Sequence, residues 1–174
     1  MQSAHTKMQK DVIVSTLATA SRKGLNNMTA ARYVPIYHVQ LVRERKVPYE
    51  GAFENPEVIA RFLRPFFETC PVEKVFVILL DTGMRPIGVV EVSSGTLNMA
   101  LMSPREVLMT ALLANAANIV LSHNHPSGQP TPSQEDIQVT KRIKEACTNM
   151  QIELVDHIIW AEEGFSSLRQ LGKI

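Results

Sequence analysis

At 174 residues, with 45% hydrophobic and 20% charged side chains, the chain has ordinary globular composition and can bury one core without disulfide staples. Its formal net charge of +1 hides an asymmetry: residues 1–49 carry eight Lys/Arg against two Asp/Glu, and the remainder carries ten against fifteen. No apolar run approaches the roughly 18 residues a membrane span needs, and no apolar core ending in a small-residue cleavage site marks a secretory signal.

Residues 1–34 are expected to form a basic, poorly ordered or short-helical leader, with residues 11–20 as its one helical stretch. A basic arm on a mildly acidic body suits contact with nucleic acid or an acidic partner. Because the charges are dispersed and few aromatics interleave with them, a solvated leader is the better account. From Pro35 a single domain, residues 35–174, is expected. Tyr37, Val39 and Leu41 alternate with polar neighbours and predict a half-buried strand. After a loop over 44–55, Asn55 as N-cap and Pro56 at the first position open a helix to about Glu68. It buries Val58, Ile59, Phe62, Leu63 and Phe66, and Pro65 should kink or shorten it.

Residues 74–80 are near-continuously apolar and suit a strand buried on both faces. Asp81-Thr82-Gly83 is a turn signal, residues 86–92 are the returning strand, and a short edge segment is expected over 97–101. Ser103, Pro104 and Glu106 make a capping box for a helix to about Ala116 that buries Val107, Leu108, Ala111 and Leu112. Residues 118–122 form a short buried strand, 133–150 a second boxed helix, 152–160 another strand, and 165–171 a closing strand and helical turn. Cys70 and Cys147 lack metal-ligand spacing and read as reduced thiols of a cytoplasmic protein.

The chemistry concentrates between Ser122 and Asp136. If the strand continues through Asn124, alternation points His123 and His125 to one side. A loop stiffened by Pro126, Pro130 and Pro132 then enters a helix whose third residue, Asp136, can point back at the strand end. Two imidazoles and one carboxylate leave the fourth position of a tetrahedral zinc ion to an exchangeable water, the catalytic rather than the structural pattern. Ser133 can serve as N-cap through its oxygen while its hydroxyl hydrogen donates to an oxyanion. The candidate bases are Glu91, Glu106 and Glu135. Glu135 is rotated away from Asp136 on the helix and Glu106 is explained by its capping box. Glu91 is the lone carboxylate of an apolar strand, placed there either for function or as a solvated edge residue. His157, beside Asp156, reads as a satisfied core or surface histidine rather than a fourth ligand. Trp160 fits core or surface equally.

Glu91, His123-x-His125, seven residues, Ser133, two residues and Asp136 together resemble the JAMM motif of JAB/MPN metallopeptidases. The phrase from His123 to Gly128, preceded by Ser94-Gly95-Thr96 and followed by Asp156-His157-Ile158-Ile159, resembles RadC proteins in particular. The resemblance implies an α/β sandwich of the JAB/MPN (cytidine-deaminase-like) kind, a mixed central sheet flanked by helices. It also implies one zinc ion on His123, His125 and Asp136, with Glu91 as acid/base and Ser133 steadying the tetrahedral intermediate. The implied activity is hydrolysis of a peptide or isopeptide bond in a protein or peptide substrate; the other implied role is a DNA-repair or recombination accessory that binds nucleic acid or a protein partner without turnover. RadC proteins commonly carry an N-terminal helical region similar to helix-hairpin-helix modules. Residues 1–34 are too short for it, which weakens the implied DNA role.

Overall fold

The computed structural model describes residues 34–94 and 102–174. The expected leader and the edge segment over 97–101 lie outside the described residues, as do Gly95 and Thr96. Residues 40–174 form one compact unit.

Among the described residues, five strands build one mixed sheet in the order β2-β1-β3-β4-β5. β1 (Lys74–Leu80) is antiparallel to both β2 (Pro86–Ser94) and β3 (Asn118–Asn124). β3 runs parallel to β4 (Glu153–Ala161), which pairs antiparallel with β5 (Gly164–Ser167). The described residues of the unit also hold three helices: α1 (Pro56–Phe67), α2 (Pro104–Leu113) and α3 (Gln134–Asn149). A parallel pair needs a crossover, and α3 is that crossover between β3 and β4.

Strand alternation sorts the core into two layers. Val75, Val77, Leu79, Ile119 and Leu121 pack with Val107 and Ala111 of α2 and with Val139, Ile143 and Cys147 of α3. Phe76, Ile78, Leu80, Val120 and Ile158 pack on the other face with Phe53 and with Ile59, Leu63 and Phe67 of α1. The sheet therefore lies between helices on both sides, which is why β1 and β3 are apolar at successive positions rather than at alternate ones.

Local chemistry sets the helix limits. Asn55 holds the N-cap position of α1, yet its side chain makes no capping bond, and Pro56 supplies the preset φ instead. Pro65 falls inside α1 without ending it. Ser103 accepts from the Glu106 amide at 3.4 Å and starts α2. α2 buries Val107, Thr110 and Ala111, whereas Leu112, expected inside, is 55% exposed. One helical step, about 100°, turns it away from the stripe that Ala111 occupies.

The strand expected at Tyr37, Val39 and Leu41 is not formed. Residues 34–50 have no regular secondary structure, and these three side chains are exposed. Alternation makes a strand only where a sheet edge pairs with it, and neither β2 nor β5 pairs with this segment.

The chain after β5 is fastened by Asp156, a buried carboxylate on β4. It accepts from the His157 amide at 2.7 Å, Ser167 Oγ at 2.5 Å and the Arg169 amide at 3.1 Å. Burial pushes its carboxyl up, and the three hydrogen bonds oppose the shift. Asp156→Ala would leave these donors without their acceptor and is expected to destabilise the fold by about 2–3 kcal/mol, read from the urea midpoint at unchanged m-value.

Candidate metal centre

The strand β3 does continue through Asn124, and the site forms where it ends. His123 is fully buried, and His125 follows at the strand end with its amide donating to Trp160 O at 2.9 Å. The connecting loop turns at Gly128, whose φ of +89° suits glycine and strains any other residue. Gly128 O accepts from the Glu163 amide at 3.1 Å, and Gln129 Nε2 donates to Glu163 at 2.6 Å. These bonds hold the loop against the β4–β5 turn.

Ser133 then caps α3 in a reciprocal box. Its Oγ accepts from the Asp136 amide at 3.0 Å, and Asp136 Oδ2 accepts from the Ser133 amide at 2.8 Å. The Ser133 hydroxyl hydrogen, expected to be free for an oxyanion, donates to the same Oδ2 at 2.6 Å. Asp136 is thereby aimed back at β3.

His123 Nε2 and His125 Nε2 lie 2.9 Å apart. Asp136 Oδ1 is 3.4 Å from the first and Oδ2 is 3.5 Å from the second. His125 Nδ1 donates to Gln129 O at 2.9 Å, which leaves Nε2 as its coordinating nitrogen. Two imidazole nitrogens and a carboxylate facing one point repel one another unless a proton or a cation lies among them. Ligands bound at 2.0–2.1 Å in a tetrahedron stand about 3.3 Å apart, so the spacing of this group fits a zinc-sized ion. His123, His125 and Asp136 form the one such cluster among the described residues.

The electrostatics agree with a cation site. Burial lowers the His123 imidazole to about 4, against the pull of Asp136. The carboxylate of Asp136 and the carbonyl of Gln129 raise His125, with burial opposing. Burial alone would raise Asp136, but His125, the charge at His123 and the Ser133 donors outweigh it and hold the carboxyl well below its usual range.

The charges acting on these three groups are one another's and that of Glu73. Glu73 was not among the candidate bases. It sits half-buried directly before β1, and because β1 is antiparallel to β3, that end lies beside the end of β3. Asn124, 2% exposed between the two histidines, grips the backbone on either side of it. Its Oδ1 accepts from the Lys74 amide at 2.8 Å, and its Nδ2 donates to Val72 O at 3.1 Å. Burial raises the Glu73 carboxyl toward the range a general base needs, His125 opposes and Asp136 assists.

The structure places Glu91 elsewhere. It is registered opposite Phe76, on the face covered by α1, whereas His123 is registered opposite Val75 on the other face. Its carboxylate meets Lys74 Nζ at 2.9 Å near the surface of the edge strand. Glu106 and Glu135 are exposed in the first turns of α2 and α3.

Beside His125 a groove of about 850 Å³ opens between α1 and the β4–β5 turn. Phe67, Trp160 and Phe165 supply apolar lining, and Arg61, Arg64 and Glu162 supply charge. Trp160, undecided from sequence, stacks on Phe67 with ring centroids 6.1 Å apart.

Residues 53–173 match the RadC-like JAB domain. A UPF0758 protein of Symbiobacterium thermophilum is 42% identical over 118 residues, which is 68% of this chain and 50% of that protein. One from Clostridium beijerinckii is 42% identical over 120 residues, 69% of this chain and 52% of the relative. One from Clostridium acetobutylicum is 40% identical over 151 residues, 86% of this chain and 66% of the relative. The chain thus spans about half the length of the first two relatives. With a mixed five-stranded sheet between helices and a His-His-Asp cluster where β3 meets α3, the chain belongs to the RadC-like JAB domain family.

Proposed function

We propose that the chain is a zinc-dependent hydrolase of the JAMM type that cleaves a peptide or isopeptide bond. The observation that carries this reading is the convergence of His123 Nε2, His125 Nε2 and the Asp136 carboxylate, with the half-buried Glu73 beside them. When bound there, zinc acidifies a water and polarises a carbonyl. Glu73 accepts the proton of the attacking water on its carboxylate and delivers it to the departing nitrogen. Ser133 orients Asp136 through its hydroxyl, and it supplies an oxyanion donor only by rotating that hydrogen off Oδ2. The groove beside His125 would receive the side chains flanking the scissile bond, an apolar one against Trp160 and Phe165. The proposed setting is the cytoplasm, where Cys70 and Cys147, both free, stay reduced.

Elemental analysis of the untagged protein is expected to find close to one zinc per chain, and His123→Ala is expected to lose it. If wild type takes up no zinc, the hydrolase reading is wrong. The accessory role, implied by the family resemblance, finds support in the positive charge of residues 1–49. It would be supported by DNA binding that weakens steeply with salt and is unchanged in His123→Ala.

A further inference from the structure

His157 is fully buried on β4 in parallel register with Leu121, so its ring lies on the His123 side of the sheet. Its Nε2 is 2.8 Å from His123 Nδ1, on the side of the His123 ring turned away from Asp136 and His125. Its Nδ1 is 2.6 Å from Thr140 Oγ1 on α3. Thr140 Oγ1 in turn lies 2.5 Å from the backbone carbonyl oxygen of Asp136. Four polar groups thus run in one line from the backbone of one metal ligand to the ring of another.

The direction of that line is fixed by counting hydrogens. The Asp136 carbonyl has none to give, so two oxygens approach this closely only if the single Thr140 hydrogen lies between them. Thr140 must then accept from His157, which puts the His157 hydrogen on Nδ1. A second hydrogen on Nε2 would place an unpaired cation in a fully buried ring beside a metal site, so Nε2 is an acceptor. His123 consequently carries its hydrogen on Nδ1, and its Nε2 lone pair faces His125 and Asp136. The reverse polarity would put a hydrogen on His123 Nε2, where the ion must bind.

We infer that Thr140 and His157 are positioning residues that set the tautomer of His123 and hold its Nε2 bare for the metal. The inference rests on the metal-centre reading above. His125 is set separately by Gln129 O, so the two imidazoles are prepared by unrelated means: a strand-and-helix chain for the buried ring and a loop carbonyl for the half-buried one. Partners of this kind orient ligating histidines and raise their basicity.

The test is imidazole nitrogen NMR on the metal-free, 15N-labelled full chain, combined with zinc titration against a competing chelator. Wild type is expected to show His123 and His157 both protonated at Nδ1. Thr140→Val keeps the shape but removes the acceptor. It is expected to move both hydrogens to Nε2 and to weaken zinc binding about 10–100-fold. Thr140→Ser, which restores the hydroxyl, is expected to restore both readouts. A hydrogen on His123 Nε2 in wild type overturns the inference, and so does unchanged zinc affinity in Thr140→Val. If wild type shows the Nδ1 tautomers yet binds no zinc, the hydrogen-bond chain is confirmed and the metal reading fails instead.

Discussion

Glu73→Gln is expected to lower kcat by about 10²–10⁴-fold at unchanged zinc content, the range for losing a positioned general base. Glutamine keeps the size of the side chain and the contacts of its stem, so the fold and ligand set should persist. What disappears is a carboxylate able to take a proton. Its pKa is raised by burial, which makes its carboxylate a stronger base than that of an exposed glutamate. Glu91→Gln is the control. It breaks only an exposed ion pair with Lys74, an interaction worth about 0–1 kcal/mol, and kcat should stay near wild type. The opposite pattern, turnover kept in Glu73→Gln and lost in Glu91→Gln, would return the base to β2. Single-turnover rates with a fluorogenic peptide or isopeptide would decide between them.

Asn124→Ala should give the next largest effect. The side chain is almost wholly buried and satisfies Val72 O and the Lys74 amide, which flank Glu73. Without it those two backbone groups lose their partner, at a cost of about 1–3 kcal/mol of stability. Glu73 also loses its anchor, and a displaced catalytic group costs about 10²-fold in rate. Asn124→Asp separates the two contributions. It keeps an acceptor for Lys74 but sets a carboxylate oxygen against the Val72 carbonyl. Loss of kcat with normal zinc content and little change in KM would identify Asn124 as a positioning residue. Loss of zinc as well would instead place it in the structural support of the histidines.

Much of this site is legible in a single stretch of sequence. His123, His125 and Asp136 lie within fourteen residues of one another, and the element change from strand to capped helix supplies their geometry locally. The buried strands β1 and β3 and the boxed start of α3 are legible for the same reason, because their signals are carried by neighbours in the chain. Glu73 is not. It joins the site through the antiparallel pairing of β1 with β3, a contact across fifty positions, and nothing in Pro71-Val72-Glu73-Lys74 sets it apart. The usable signal is positional: a carboxylate just outside a buried strand whose partner strand ends in the His123–His125 pair.

Glu91 drew notice as an isolated charge in an apolar run, but β2 is an edge strand, where a charge is solvated and discourages further pairing. The pattern at Tyr37, Val39 and Leu41 misleads in the same way, since periodicity describes a capacity to pair and not the presence of a partner. His157 fits core or surface in the sequence, and the structure buries it fully. What it touches could only come from the fold.

The pairing of Val75 with His123 gives the centre a digital character. Sliding β1 by a single position along β3 would not shift Glu73 by a small distance; it would turn every side chain of the strand over and exchange the two core layers. Register slip therefore offers no gradual path by which to move Glu73 against His123, His125 and Asp136. An insertion of one residue between Lys74 and Val75, however, should switch the centre off as completely as deleting the base, and a second insertion should restore the facing of the strand without restoring its reach.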